Sequence, residues 1–265
     1  MATTTFITRV GSVSIIVDGL SSITNSPTGH HEAYQNKTSS MKNRVNPLRV
    51  SRFLRVYDDA AAQKGIRLSV GFDFHKYAAI VRGTPTKEFT SPLFQLDLSP
   101  VKSGDGFWMI GVDKNDDVVI LQAVRLFHLS RSSLAEHLCA DPALNADAQQ
   151  IWICTAPSAK KITGKVAYHG DAWVRKDYRG QGMPSIMAGV AFGVSFAMWS
   201  PDFVCGLVAR SLGDKGLIAR YGYPHYESGG LQVVEQNDLD DYLLVWLTGE
   251  ELWGRIDSPD TRCNP

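Results

Sequence analysis

The segment Asp171–Gly193, DAWVRKDYRGQGMPSIMAGVAFG, changes pattern twice. Two-residue alternation ends near Val174, a basic loop flanked by glycines follows, and an apolar helical run begins at Pro184. A helix start carries free amide groups and about half a positive charge, so a strand that feeds directly into one sets an anion site at the strand's end. Gly180 and Gly182 remove side chains where a ligand would approach, Arg179 adds a cation, and Pro184 suits the first helical turn, where its missing N–H costs little. The pattern fits a pyrophosphate cradle, although Gly and Pro also punctuate any strand-to-helix turn. The run from Pro184 to Trp199 is shorter than the roughly 20 residues a spanning helix needs, so it is expected to be a buried helix rather than a membrane segment.

The rest of the chain supplies the setting for this unit. With 265 residues and 44% hydrophobic content it can bury a full core as one large domain or two small ones. Its 27 basic and 27 acidic side chains cancel, so no general attraction to nucleic acid or an anionic membrane is expected and any anion site must be local. Cys139, Cys154, Cys205 and Cys263 lie far apart, without zinc-finger spacing, so no metal is expected. The first residues lack the basic start and continuous apolar block of a signal peptide, which makes the cytoplasm the expected compartment.

Residues 6–17 read as a strand, and 21–47 as a polar loop, so residues 1–47 are expected to form an N-terminal extension to a domain over 48–265. Val50, Phe53, Leu54, Tyr57 and Ala61 follow helical spacing up to Gly65. Residues 66–106 are mixed, with a short helix near Phe74–Val81. FWMIGV, the turn DKNDD and VVILQAVRLFHL read as a β-hairpin. Ser133 with Glu136 and Thr248 with Glu251 form capping-box patterns before short helices. From 151 on, the expected elements are strands at 151–155, 166–174, 203–209, 231–235 and 242–248 and helices at 184–198 and 213–221. Hairpins first and strand–helix–strand later predict an α/β fold with a mixed sheet flanked by helices.

Two nucleotide motifs are excluded on the residues themselves. ITGKV lacks the earlier Gly and the Ser or Thr of a Walker loop. Gly180 and Gly182 are followed by Ser185 where a dinucleotide fingerprint needs a third Gly. VRKDYRGQGM instead resembles motif A of the GNAT family N-acetyltransferases, with Val174, Asp177, Tyr178, Arg179, Gly180 and Gly182 at matching places. GDKGLIARYGYPHY looks like the family's second motif, with Gly222 and Tyr223 at its Gly-aromatic end, and the hairpin at 107–129 would be the family's second and third strands. The resemblance covers roughly 105–248.

That resemblance implies a central, mostly antiparallel sheet flanked by helices and an acyl-CoA co-substrate, most simply acetyl-CoA. Val174 would offer backbone bonds to the pantetheine arm, and Arg179, Gly180, Gln181, Gly182, Met183 and Ser185 would hold the diphosphate. It further implies direct attack of an amine on the thioester, the amine belonging to a small molecule or a protein. A CoA-binding protein without catalysis is the alternative, and a homodimer is left open. The chain departs from the family where Pro184 deletes an amide, where Ser211 and Asp214 stand for the usual Asn and Ala, and where Ile218 replaces a frequent Tyr. Tyr221, one turn later, could stand in as the acid that protonates the thiolate. Period-two alternation along VAYHGDAWVR places His169, Asp171, Trp173 and Arg175 on one face, making His169 and Asp171 the candidate proton-removing pair. His225 and Glu227 are candidates for the acceptor pocket, and Cys205 reads as a buried hydrophobe.

Overall fold

The structure, a computed structural model, describes residues 46–145, 152–213, 216–233 and 242–258, together with the backbone of two short strands at 6–10 and 13–17. Those two, β1 (Phe6–Val10) and β2 (Val13–Val17), pair antiparallel, so the single strand expected over 6–17 is a hairpin. The polar loop expected at 21–47 falls almost wholly outside the described residues.

The main sheet has eight strands in the order β3-β4-β5-β7-β8-β10-β9-β6. These are β3 (Arg67–Gly71), β4 (Gly106–Val112), β5 (Val118–Leu129), β6 (Trp152–Ile153), β7 (Gly164–Val174), β8 (Phe203–Ala209), β9 (His225–Val233) and β10 (Tyr242–Thr248). Every neighbouring pair is antiparallel except β7 and β8, which run parallel. This is the mixed sheet flanked by helices that the order of elements predicts, and it is mostly antiparallel, as the resemblance to the GNAT family implies. The β4–β5 hairpin stands where its β-branched and aromatic runs place it. β3 goes unread in the sequence, because RLSVG is too short for its alternation to stand out. β9 begins at His225, several residues before the strand expected at 231. The helix expected over 213–221 is two short pieces, Arg210–Gly213 and Leu217–Tyr221.

One face of the sheet carries α1 (Pro47–Ala62), α4 (Met183–Trp199), α6 (Leu217–Tyr221) and α7 (Gly249–Asp257). The other carries α2 (Phe74–Arg82), a short turn at Pro92–Phe94 and α3 (Leu134–Ala140); α5 is the piece at Arg210–Gly213. Asn46 caps α1 by accepting from the Leu48 amide at 3.1 Å, and Val50, Phe53, Leu54 and Ala61 are buried as their spacing predicts. Both expected capping boxes are formed, Ser133 with Glu136 and Thr248 with Glu251. α4 is apolar nearly all round because it is covered nearly all round: by the sheet, by α1, and by α7 through a Phe196–Trp253 ring contact of 5.5 Å. No helix among the described residues is long and apolar enough to cross a membrane.

Gly189 and Gly193 let α1 approach α4 closely. A Cβ at 193 would stand 2.5 Å from Leu54 Cδ2 and 3.1 Å from Phe53 Cδ1, and one at 189 would meet the Tyr57 ring at 2.2 Å. Gly193→Val is therefore expected to lower the free energy of unfolding by about 1–3 kcal/mol through overpacking. Gly254→Ala in α7, where nothing lies within 4 Å of the added carbon, is expected to be neutral or to stabilise by up to about 1 kcal/mol. Urea unfolding of the two variants checks both.

Candidate functional site

β7 and β8 pair from Val166–Phe203 to His169–Gly206 and then part. Beyond that point β7 follows β5, with Trp173 opposite Leu121 and Val174 opposite Ile120, while β8 follows β10, with Ala209 opposite Tyr242. Each strand is held by its outer neighbour, so the inner edges open into a cleft of about 920 Å³ lined by residues 170–173 and 206–209. The parting coincides with a register shift on the β5 side between Leu121 and Ala123, opposite a β7 stretch in which Asp171 has φ of +49°. A bulge of this kind bends its strand and re-aims its side chains.

At the end of β7 the chain makes a tight turn, Lys176–Tyr178, clamped by Arg175. Its guanidinium bonds Asp177 through Nε and Nη2 at 2.8 and 2.9 Å and Asp113 at 2.8 Å, and lies 5.0 Å over the Tyr178 ring. The hydrogen bonds from Arg175 hold the Asp177 carboxyl below its usual range. That carboxylate is thereby kept on Arg175 instead of capping the loop that follows. Gly180 and Gly182 have φ of +80° and +77°, and nothing lies within 4 Å of where a side chain would start at either. Among the described residues no acceptor meets the amides of Gly180, Gln181, Gly182 or Met183. The Ser185 amide is taken by the Gly182 carbonyl at 3.1 Å, which leaves its hydroxyl as the group Ser185 can offer. Arg179 lines the cleft and donates from Nε to the Val174 carbonyl at 3.1 Å, while Gln181 donates to the Asp177 carbonyl at 2.8 Å. Open amides and a helix N-terminus thus follow directly on Arg179, which lines one part of the cleft, a donor set that fits a diphosphate.

The expected pairing of His169 with Asp171 does not occur. His169 faces α4: its Nδ1 lies 2.9 Å from the Tyr223 hydroxyl, its Nε2 3.2 Å from Ser195 Oγ, and the Phe192 ring packs beside it. Asp171 faces the opposite side, where its carboxylate receives the Tyr77 hydroxyl at 2.5 Å, the Lys87 ammonium at 2.8 Å and the Ser91 amide at 3.0 Å. The bulge is the reason. The left-handed residue at 171 uses up one step of alternation, so the two side chains leave from different faces. Burial pushes the His169 pKa down to about 3, which keeps the imidazole neutral. The Lys87–Asp171 pair is almost completely enclosed, each side chain 2% exposed, and with the Trp173 Nε1 bond to the Thr86 carbonyl it ties the segment around 84–93 across the cleft as a wall. Arg125 fastens the end of that segment through the Leu93 carbonyl and the chain just beyond it through Ser99 Oγ.

Tyr221 lines the cleft from α6, and its hydroxyl meets no partner among the described residues. Burial pushes its pKa up to about 12, so it stays a proton donor at neutral pH. Ile218, at the family's frequent Tyr position, is buried in the core. His225 bonds Glu251 at 2.7 Å and Glu227 bonds the Ser158 amide at 2.6 Å, and neither lines the cleft. Cys205 is buried and its thiol pushed up by burial, as a packing residue's would be. Sequence reasoning missed Tyr77, Lys87 and Gln122. Gln122 lines the cleft opposite the bulge, only 3% exposed, and its Oε1 has no hydrogen-bond partner among the described residues. None of the three carries a local pattern, since Lys87 and Gln122 meet the cleft, and Tyr77 meets Asp171 behind its wall, from segments remote in sequence. No group of three or more His, Cys, Asp or Glu side chains among the described residues could hold a metal ion.

No family model matches the chain, and no curated protein matches it. Among solved structures the chain is similar to Arabidopsis thaliana NAA60 in complex with acetyl-CoA, at 17% identity and a TM-score of 0.43 over 69% of this chain and 98% of that one. It is similar also to ribosomal-protein-S5-alanine acetyltransferase from Vibrio fischeri, at 11% identity and a TM-score of 0.39, over 71% of this chain and 95% of the other. A variant of spermidine N-acetyltransferase SpeG from Vibrio cholerae is matched at 8% identity and a TM-score of 0.41, over 72% and 98%. Likeness at this level carries nothing about substrate or activity.

Two solution measurements test the geometry. Lys87→Met strands a buried carboxylate and is expected to cost about 3–5 kcal/mol of stability, while Lys87→Met combined with Asp171→Leu recovers much of it; urea unfolding compares the two. His169 is neutral when folded, yet protonates below about 6.5 when unfolded, so its contribution is fully present above that pH and falls by about 1.4 kcal/mol per pH unit down towards its folded value. His169→Gln is expected to flatten that acid limb in unfolding curves recorded from pH 7 to 4.

Proposed function

We propose that this protein is an acyl-CoA-dependent N-acyltransferase, with acetyl-CoA as the simplest donor, that moves an acyl group to an amine by direct attack. The observation that carries this reading is the coincidence of the open amides at 180–183 with the parting of β7 from β8, at the place where the RGQG motif resembles that of the GNAT family. The diphosphate would lie on the amides of Gly180, Gln181, Gly182 and Met183 with the Arg179 guanidinium beside it, and Ser185 would add its hydroxyl. The pantetheine arm would run along the freed edge of β7, where Val174 offers its backbone once Arg179 releases the carbonyl.

The chemistry is then mainly positioning. The amine nitrogen forms a bond to the thioester carbon, the carbon–sulfur bond breaks, and the nitrogen gives up its surplus proton. The departing thiolate receives a proton, so that amine and acyl-CoA become amide and free CoA thiol. Tyr221, protonated and unpartnered in the cleft, is the proposed donor of that proton. Asp171 is saturated by three donors and His169 is buried and neutral, so both serve here as positioning residues: His169 holds the apex of the cleft and Asp171 its wall. Pro184 and Ile218 motivate a second reading, a CoA-binding protein without chemistry.

Acetyl-CoA is expected to bind and to raise the melting temperature, and Gly182→Asp, which sets a carboxylate against the diphosphate, is expected to abolish both in calorimetry and thermal melts. Tyr221→Phe is expected to lower kcat by about a hundredfold with acetyl-CoA affinity unchanged, followed by thiol release. Binding without turnover of any amine would favour the second reading, and failure to bind would end both.

A further inference from the structure

The cleft passes through the sheet where β7 and β8 part, and its lining on the side facing α2 and α3, with Gln122 meeting it from the face of Met109 and α4, speaks to what is acylated. Resting on the transferase reading above, we propose that the acceptor is a monoamine carried on an apolar, aromatic-sized body, bound with its nitrogen towards Gln122, and not a polycationic amine.

Three features carry this. Three of the large apolar side chains that stand exposed among the described residues, Phe89 at 67%, Leu212 at 44% and Leu98 at 40%, lie at this cleft, and its walls continue inward with Trp173, Leu207 and Tyr242. Large apolar groups left exposed around a cavity favour an occupant that covers them. Among the described residues the carboxylates of the lining are Glu88, which is exposed, and Asp171, which is consumed by Lys87, Tyr77 and Ser91. A polyamine needs several carboxylates in register along its length, and the described wall offers one near the surface. Finally, the buried Gln122 carbonyl lacks a donor. Such a group is costly to leave bare, and an N–H of the bound amine would satisfy it.

These features agree chemically. An ammonium moving from water into an apolar cleft is disfavoured relative to its neutral form, and the neutral amine is the nucleophile the reaction needs. An uncharged carbonyl such as Gln122 Oε1 orients that amine without holding it in the protonated state, as a carboxylate would. The apolar body supplies affinity through burial while the nitrogen is aligned.

The test compares 2-phenylethylamine with spermidine as acceptors, following thiol release from acetyl-CoA, with acetyl-CoA binding measured separately by calorimetry. The expected result is a kcat/KM for 2-phenylethylamine at least about tenfold higher. Gln122→Met is expected to raise KM for 2-phenylethylamine about tenfold while leaving acetyl-CoA affinity unchanged and the melting temperature equal or higher, because an unsatisfied buried carbonyl is removed. Phe89→Ala, at an exposed position that folding does not need, is expected to raise KM for 2-phenylethylamine severalfold and leave that for spermidine unchanged. A preference for spermidine, or an unchanged KM in both variants, overturns the acceptor assignment and leaves the transferase reading standing. Binding with neither amine turned over overturns the acceptor assignment alone, and absence of acetyl-CoA binding overturns both.

Discussion

The parallel pairing of β7 with β8 stops at His169–Gly206, and the remainder of the site depends on that interruption. Two strands that separate inside a sheet expose backbone donors and acceptors along their inner edges, which folding tolerates only when something else holds the strands apart. Here the outer neighbours do so, β5 for one strand and β10 for the other. The apex is fixed by His169, whose two ring nitrogens meet Tyr223 and Ser195, so that β7, α4 and the corner after α6 are locked at one point. A neutral imidazole is suited to that task, since a charged one could not be kept in so enclosed a place.

From that apex the two ends of the cleft acquire opposite character by different means. At the loop end, Arg175 draws the Asp177 and Asp113 carboxylates to itself, which leaves the amides after Arg179 open to an anion. At the wall, Lys87 and Asp171 neutralise each other out of water and leave an apolar surface between them and Tyr242. A buried ion pair contributes little to net stability compared with a well-packed apolar pair. Its use here is positional, because it fastens a segment far away in sequence across the opening. Positive character is therefore confined to one end of the cleft although the chain as a whole carries no excess charge.

Much of this was legible in the sequence wherever the signal is local. The β4–β5 hairpin, the two capping boxes, the apolar α4 and the loop between Arg179 and Pro184 depend on periodicity, cap chemistry and glycine, each readable within a dozen residues. β3 was not legible, because a five-residue edge strand takes its identity from pairing with β4. The helix read over 213–221 becomes two pieces because Gly213 and Gly216 lie within a turn of each other. His169 and Asp171 were both noticed, yet their relation was misjudged by one step of alternation.

By itself, then, the sequence determined the order of elements, the burial of α4 and the glycine conformations of the loop, since these follow from the conformational freedom of single residues and the spacing of apolar ones. Only the tertiary structure decided which face Asp171 takes, that Tyr77 meets it there, that Lys87 and Gln122 reach the cleft, and that His169 is sealed beneath α4. The physical reason is that a bulge forms where two strands cannot keep register with each other, and a buried pair forms where segments distant along the chain are brought together. Both are properties of the packed sheet, and neither strand nor segment carries them alone.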